Sequence, residues 1–219
     1  MSYILTEFRK KYPNCELLLK LEQNWHIFVD IFKNCKVYKC GCGSYLFDGN
    51  TYDYDPKMYE KQKLLYETAK NTTNVLEVGV YMGHSLFIIL LANPSVNIVC
   101  IDIDDFLSKP AVDILVNNFP NASIKFIKGN SNDVLPIIDK TFDLFHIDGD
   151  HTPVYINREF EICLTKAMPK DIYFIFDDYD LYPTTVDNFS KHSSDHYKAI
   201  FTTIPNCDWR NALIKLSYF

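Results

Sequence analysis

The chain has 219 residues, 47% of them apolar, and a mean hydropathy of -0.12, enough to bury one core with modest extensions. Its net charge of -6 and pI near 5.5 lack the basic footprint that phosphate backbones demand, which argues against nucleic acid and for a small-molecule or glycan partner. No apolar run approaches the ~20 residues needed to cross a bilayer, and Met1 to Glu7 lacks the basic-then-apolar order of a signal peptide, so a cytoplasmic protein with no membrane contact is expected.

In chain order, the first elements are a helix over Cys15 to Phe32, a loop containing Cys and Gly, an aromatic segment Tyr45 to Tyr54 and a helix over Pro56 to Lys70. Residues 1–70 read as a helical and loop cap on a domain spanning 71–219. Phe47, Tyr52 and Tyr54 either close over a substrate crevice or simply pack with their hydroxyls wet. The cysteines, Cys15, Cys35, Cys40, Cys42, Cys100, Cys163 and Cys207, are an odd set and read as free thiols. Cys35, Cys40 and Cys42 cluster, but without a C-x-x-C pair or a nearby His they do not read as a zinc site.

From residue 74 onward, short apolar runs alternate with longer amphipathic stretches, the rhythm of an α/β fold. Strands are expected near 74–78, 97–102, 123–128, 142–148, 171–177, 198–204 and 211–218. Between them lie helices over Ser85 to Ala92, Pro110 to Asn118, Asn132 to Asp139, Pro153 to Ala167 and Pro183 to Lys191. The first five strands should be parallel. Only six residues join the last two, too few for a crossover helix, so these should pair antiparallel. The fold class is therefore α/β: a Rossmann-like sheet of seven strands, mostly parallel with a C-terminal antiparallel hairpin, helices on both faces, and ligands outside the carboxyl ends of the strands.

The first strand runs through Val75-Leu76-Glu77-Val78 into Gly79-Val80-Tyr81-Met82-Gly83 and then an apolar helix opened by Ser85. Such a corner presents free backbone N–H groups to a ligand. The spacing E-x-G-x-x-x-G-x-S is not the G-x-G-x-x-G of a dinucleotide site. Asp102 ends the second strand, where a carboxylate can accept both hydroxyls of an adenosine ribose, with Asp104 as the fallback. Gly129-Asn130-Ser131 after the third strand suits either an adenine edge or an ordinary helix cap.

Asp148 ends the fourth strand in Phe-His-Ile-Asp-Gly-Asp-His, and Asp177 with Asp178 ends the fifth. Three adjacent carboxylates repel, and a hard divalent cation would reconcile them; an all-oxygen set selects Mg²⁺, Mn²⁺ or Ca²⁺ over zinc. His146 shares strand parity with Asp148 but lies inside the apolar run, which reads as a hydrogen-bonded core histidine, and His84 reads as a cap.

Val75 to Ser85, Ile101-Asp102, Gly129 to Ser131, Phe142 to His151 and Ile175 to Tyr179 together resemble a class I S-adenosylmethionine-dependent methyltransferase, over about two thirds of the chain. Within that family the I-D-G-D-H and D-D pair is most similar to metal-dependent O-methyltransferases acting on sugar hydroxyls. Catechol-type enzymes, with Asp-Asn and a Lys in place of His151, are more distant. The resemblance implies that Glu77, Gly79, Tyr81, Gly83, Ser85, Asp102, Ile103, Asn130, Ser131 and Asp148 surround S-adenosylmethionine. It also implies that Asp148, Asp177 and Asp178 hold Mg²⁺, and that Asp150, favoured narrowly, or His151 is the base that removes the proton of an acceptor hydroxyl. The implied function is methyl transfer to a hydroxyl of a sugar or glycoside. The alternatives are a catechol-type small-molecule O-methyltransferase and a catalytically silent S-adenosylmethionine-binding protein. A nicotinamide-dependent oxidoreductase would share the corner and Asp102 but leaves the acidic strand ends unexplained. Homo-oligomerisation is open at this level.

Overall fold

The computed structural model describes residues 2–35, 45–46, 53–191, 196–203 and 210–219. Cys40, Cys42, Phe47, Tyr52 and Cys207 lie outside the described residues. The N-terminal part contains α1 (Tyr3–Lys11), α2 (Glu16–Cys35), a single 3-10 turn (Pro56–Met58) and α3 (Tyr59–Ala69). Helix α1 has no counterpart in the sequence reading; Ser2 caps it, its hydroxyl accepting from Leu5 N at 3.0 Å. Helix α2 buries Leu17, Leu18, Leu21, Trp25, Phe28 and Ile31, the i, i+3, i+4 stripe of a helix with one covered face.

The α/β part runs β1 (Asn74–Val78), α4 (His84–Ala92), β2 (Asn97–Asp102), α5 (Ser108–Asn118), β3 (Ser123–Lys128), α6 (Ser131–Val134), β4 (Leu144–Ile147), α7 (Pro153–Leu164), β5 (Ile172–Phe176), α8 (Pro183–Phe189), β6 (Tyr197–Thr203) and β7 (Ala212–Tyr218). One sheet holds all seven strands in the order β3-β2-β1-β4-β5-β7-β6. Strands β1 to β5 are parallel, and β7 runs antiparallel to both β5 and β6. The one reversed strand of the described sheet, β7, thus lies between β5 and β6. The expected helix over Asn132 to Asp139 is only the four residues of α6 followed by a 3-10 turn, Leu135–Ile137, because Pro136 cannot donate the backbone bond a continuing helix needs.

Strand periodicity divides the core into two layers. Val75, Ile98, Cys100, Leu144 and Ile175 face the layer built by α1 to α5, while Leu76, Val99, Ile101, Phe145, Ile147, Phe174 and Phe176 face the layer of α7 and α8. Residues 84–91 of α4 are buried all round, because the N-terminal helices cover the side of α4 that would otherwise meet water. The same parity places Glu77, His146 and Asp177 on the face that those helices cover. Tyr54 joins that layer: it is 1% exposed and its hydroxyl donates to Gln62 Oε1 at 2.7 Å, so it packs and keeps its hydroxyl dry. The described cysteines, Cys15, Cys35, Cys100 and Cys163, are free. No helix among the described residues is long and apolar enough to cross a membrane.

Candidate functional site

The chain switches direction at β1, which pairs with β2 on one side and β4 on the other, and a crevice opens at their carboxyl ends. Gly79 (φ +84°) and Gly83 (φ +67°) make the turn, and Tyr81 also sits at positive φ (+48°). Gly79 is required twice over, since a Cβ there would lie 1.9 Å from the carbonyl oxygen of Asp148. The Asp102 carboxylate reaches back across the turn: its Oδ2 accepts from Val80 N and Tyr81 N at 2.9 Å each, and its Oδ1 from Asp104 N at 3.0 Å. The loop conformation is therefore fixed by the acid at the end of the neighbouring strand.

A cavity of about 410 Å³ occupies this crevice, a size that suits a small ligand. Gly79, Tyr81, Asp102, Ile103, Asn130, Ser131, Asp148 and Asp150 line it. Glu77, Gly83 and Ser85 do not line it. Glu77 and Ser85 are buried beneath it, with Ser85 Oγ donating to Glu77 Oε1 at 2.5 Å, and Gly83 supplies the left-handed residue before α4. Asn130 caps α6 through Asn132 N at 2.9 Å, and Ser131 Oγ bonds Glu159 Oε1 at 2.6 Å, so both residues have local work while bordering the cavity.

Beside the cavity a buried polar chain crosses the sheet. Glu77 and His146 are register partners on β1 and β4, and His146 Nδ1 lies 3.8 Å from Glu77 Oε2. On its other side His146 Nε2 is 2.7 Å from Tyr45 Oη, which donates to Asp177 Oδ1 at 2.8 Å and accepts from Asn211 Nδ2 at 2.7 Å. With the Tyr45 proton engaged by Asp177, the His146–Tyr45 bond needs a proton on Nε2, and Nδ1 then faces a carboxylate. Burial alone would lower the pKa of His146, but Glu77, Asp148 and Asp177 together hold it above the ordinary value. His146 is thus the core histidine its strand position suggested, now with its partners named. His84 is buried against Phe28 and Tyr81, and burial drives its pKa down to about 3, so it stays neutral.

Lys61 of α3 ends the chain of contacts. Its ammonium is 2.6 Å from Asp177 Oδ1, 2.8 Å from Oδ2 and 3.4 Å from Asp178 Oδ1, and stands 4.5 Å from the centre of the Tyr45 ring. Burial opposes the charge, yet Asp177, Asp148 and Asp178 outweigh it and keep Lys61 above the ordinary lysine range. Burial raises the pKa of Asp148 well above the carboxylate range, with Asp177 adding to it, and raises that of Asp178 in the same way. Asp177 goes the other way: Lys61 and His146 overcome its burial and hold it low.

His151 closes the group from above, with Nε2 at 3.4 Å from Asp148 Oδ1 and Nδ1 at 3.8 Å from Asp178 Oδ2, its side chain 25% exposed. Asp178 sits at φ +48°, a left-handed position that turns its carboxylate back toward this cluster. Asp150, in the cavity wall, has its Oδ1 accepting from Thr152 N at 2.8 Å in the turn before α7.

The match to known families decides what this crevice belongs to. Residues 76–179 match the family model described as a methyltransferase domain. This stretch is a methyltransferase domain. No curated protein matches the chain. Among solved structures, it is similar to the O-methyltransferase TomG from Streptomyces achromogenes, determined in complex with SAM, at a TM-score of 0.62 and 16% identity over 89% of each chain. An O-methyltransferase from Bacillus cereus in complex with SAH gives 0.61 and 16% over 89% of this chain and 91% of that one. A Streptococcus thermophilus rRNA methylase gives 0.55 and 9% over 75% and 98%. At these identities the likeness establishes the fold.

The methyltransferase domain does not present its acids as the expected metal site. The groups that come within 4.8 Å of one another are His146, Asp148 and Asp177, and Asp178 is not among them. Both oxygens of Asp177 face Lys61, and the His146 ring nitrogens face Tyr45 and Glu77. A hard divalent ion at 2.0–2.6 Å from such oxygens would share the space of a buried ammonium. The described residues therefore do not fit Mg²⁺ or Mn²⁺ while Lys61 keeps its place.

Sequence reading missed Lys61, Tyr45 and Asn211 in the cluster, and Leu107, Gly149 and Tyr155 in the cavity wall. One signal was present. In α3, Lys61 and Gln62 share a helical face with Leu65, Tyr66 and Ala69, and a lysine buried on an apolar stripe needs a paired charge.

Proposed function

We propose that the chain transfers the methyl group of S-adenosylmethionine to a hydroxyl oxygen of a small molecule. The observation that carries this reading is the cavity at the β1–β2–β4 strand ends, walled by the Gly79–Tyr81 turn, Asp102 and Asp148, with His151 3.4 Å from Asp148 just outside the lining. S-adenosylmethionine supplies an already electrophilic methyl, so the protein needs to align it with an oxygen and remove the hydroxyl proton. In this reading Gly79, Tyr81, Asp102, Ile103, Asn130 and Ser131 line the nucleoside end, and Glu77, Gly83 and Ser85 act from beneath by holding the turn. His151 is the base: it is half-buried over Asp148 and Asp178, which can stabilise the imidazolium it becomes, whereas Asp150 is engaged in a turn.

The acceptor we favour is a sugar or glycoside hydroxyl, the class that the I-D-G-D-H and D-D pair resembles. The net charge of -6 supports a small acceptor over nucleic acid. One observation favours a phenol of catechol type as the second reading: with Lys61 on the acids, a more acidic hydroxyl needs less activation. Calorimetry with S-adenosylhomocysteine tests the cofactor, and labelled S-adenosylmethionine against glycosides and catechols tests the acceptor. No heat of binding, or label transfer to neither class, overturns the corresponding half of the proposal.

A further inference from the structure

We propose that Lys61 is the resident cation of the acid cluster, so that methyl transfer here proceeds with no divalent ion on Asp148, Asp177 and Asp178. The inference rests on the methyl-transfer reading and adds what neutralises its acids. Lys61 is 1% exposed, and both oxygens of its partner Asp177 lie within 2.8 Å of the ammonium. Asp178 at 3.4 Å and the Tyr45 ring at 4.5 Å add further groups that favour positive charge.

Asp177 and one ring nitrogen of His146 are engaged as well. Asp177 Oδ1 also accepts from Tyr45, and His146 lies between Tyr45 and Glu77. A divalent ion among these groups would force a buried ammonium against a doubly positive neighbour. Among the described carboxylates near it, Lys61 has no alternative to Asp177 and Asp178. Two of the acids have partners within the fold: Asp177 faces Lys61, and Glu77 faces His146. Lys61 does not reach the cavity, so it is a positioning residue that fixes where Asp177 and Asp178 stand.

The test begins with the full chain treated with EDTA and dialysed. Calorimetry with S-adenosylhomocysteine comes first; absence of binding there counts against the methyl-transfer reading itself. With S-adenosylhomocysteine bound, Mn²⁺ is titrated and free Mn²⁺ is followed by electron paramagnetic resonance. Wild type should leave Mn²⁺ free into the millimolar range, and S-adenosylhomocysteine affinity should be the same with EDTA as with Mg²⁺. Lys61→Met should gain Mn²⁺ binding at least about tenfold, which loss of a merely structural lysine would not produce, and Lys61→Arg should not gain it. Stoichiometric micromolar Mn²⁺ binding by wild type overturns the proposal, and so does a folded Lys61→Met that remains blind to Mn²⁺. The wild-type titration decides the matter even where Lys61→Met does not fold.

Discussion

Lys61 and Asp177 form an ion pair in which neither side chain is more than 1% exposed, and it joins a helix of the N-terminal region to the end of β5. The ammonium thus ties the covering helices to the strand ends that the chemistry would use. Removing one member leaves an uncompensated buried charge. Lys61→Met should therefore destabilise the protein by about 3–5 kcal/mol, and Lys61→Met combined with Asp177→Asn should recover part of the loss. Urea unfolding of the two single variants and the double variant measures the coupling; strict additivity would mean that the pair is not formed.

Among the described glycines, Gly79 is the least able to accept a side chain. Its positive φ and the Asp148 carbonyl 1.9 Å from the site of a Cβ both have to give way in Gly79→Ala. The variant should lose at least about 1 kcal/mol of stability and bind S-adenosylhomocysteine at least about tenfold more weakly. Calorimetry and thermal unfolding report the two effects, and wild-type affinity in the variant would contradict the placement of the ligand at this turn.

His151 and Asp150 separate by what they touch. His151→Ala should lower kcat by about 10²–10⁴ while leaving S-adenosylhomocysteine affinity unchanged. Asp150→Ala, which removes a turn acceptor, should cost less than about tenfold. Steady-state kinetics on both variants decides between them, and the reverse order of effects would make Asp150 the base.

Glu159 gives a pH signature. It is fully buried on α7, and burial, helped by Asp150, pushes its pKa from 4.5 up to about 7 against the opposing bond from Ser131. The folded state holds this proton more tightly than the unfolded chain does. Its contribution is therefore full below pH 4.5 and is lost as pH rises through about 7. The loss is on the order of 3 kcal/mol, at about 1.4 kcal/mol for each pKa unit. Glu159→Gln should flatten the decline in melting temperature between about pH 5 and pH 8. Parallel declines in variant and wild type would show that Glu159 is already ionised in the folded protein.

The legible parts of the site are those written in strand ends. Gly79, Asp102 and Asp148 follow apolar strands directly, so backbone direction alone carried them to one crevice. Ser85 and Glu77 were read as ligand groups because they flank the turn. Strand parity sends Glu77 to the covered face instead, where Ser85 and His146 receive it. The metal expectation arose from three acids counted without their neighbours. The neighbour that matters, Lys61, is 116 residues away in sequence from Asp177, and no spacing rule links the two.

The sequence by itself determined the α/β class, the strand count, the terminal hairpin and the corner at which a ligand meets the sheet, because periodicities of two and 3.6, glycine turns and short connections act locally. Only the tertiary structure decided which cation answers the acids and which face Glu77, His146 and Asp177 occupy together. Electrostatics in a buried cluster depends on distances of a few ångströms between elements remote in the chain, and those distances exist only once α3 has packed against α4 and brought Lys61 to the end of β5.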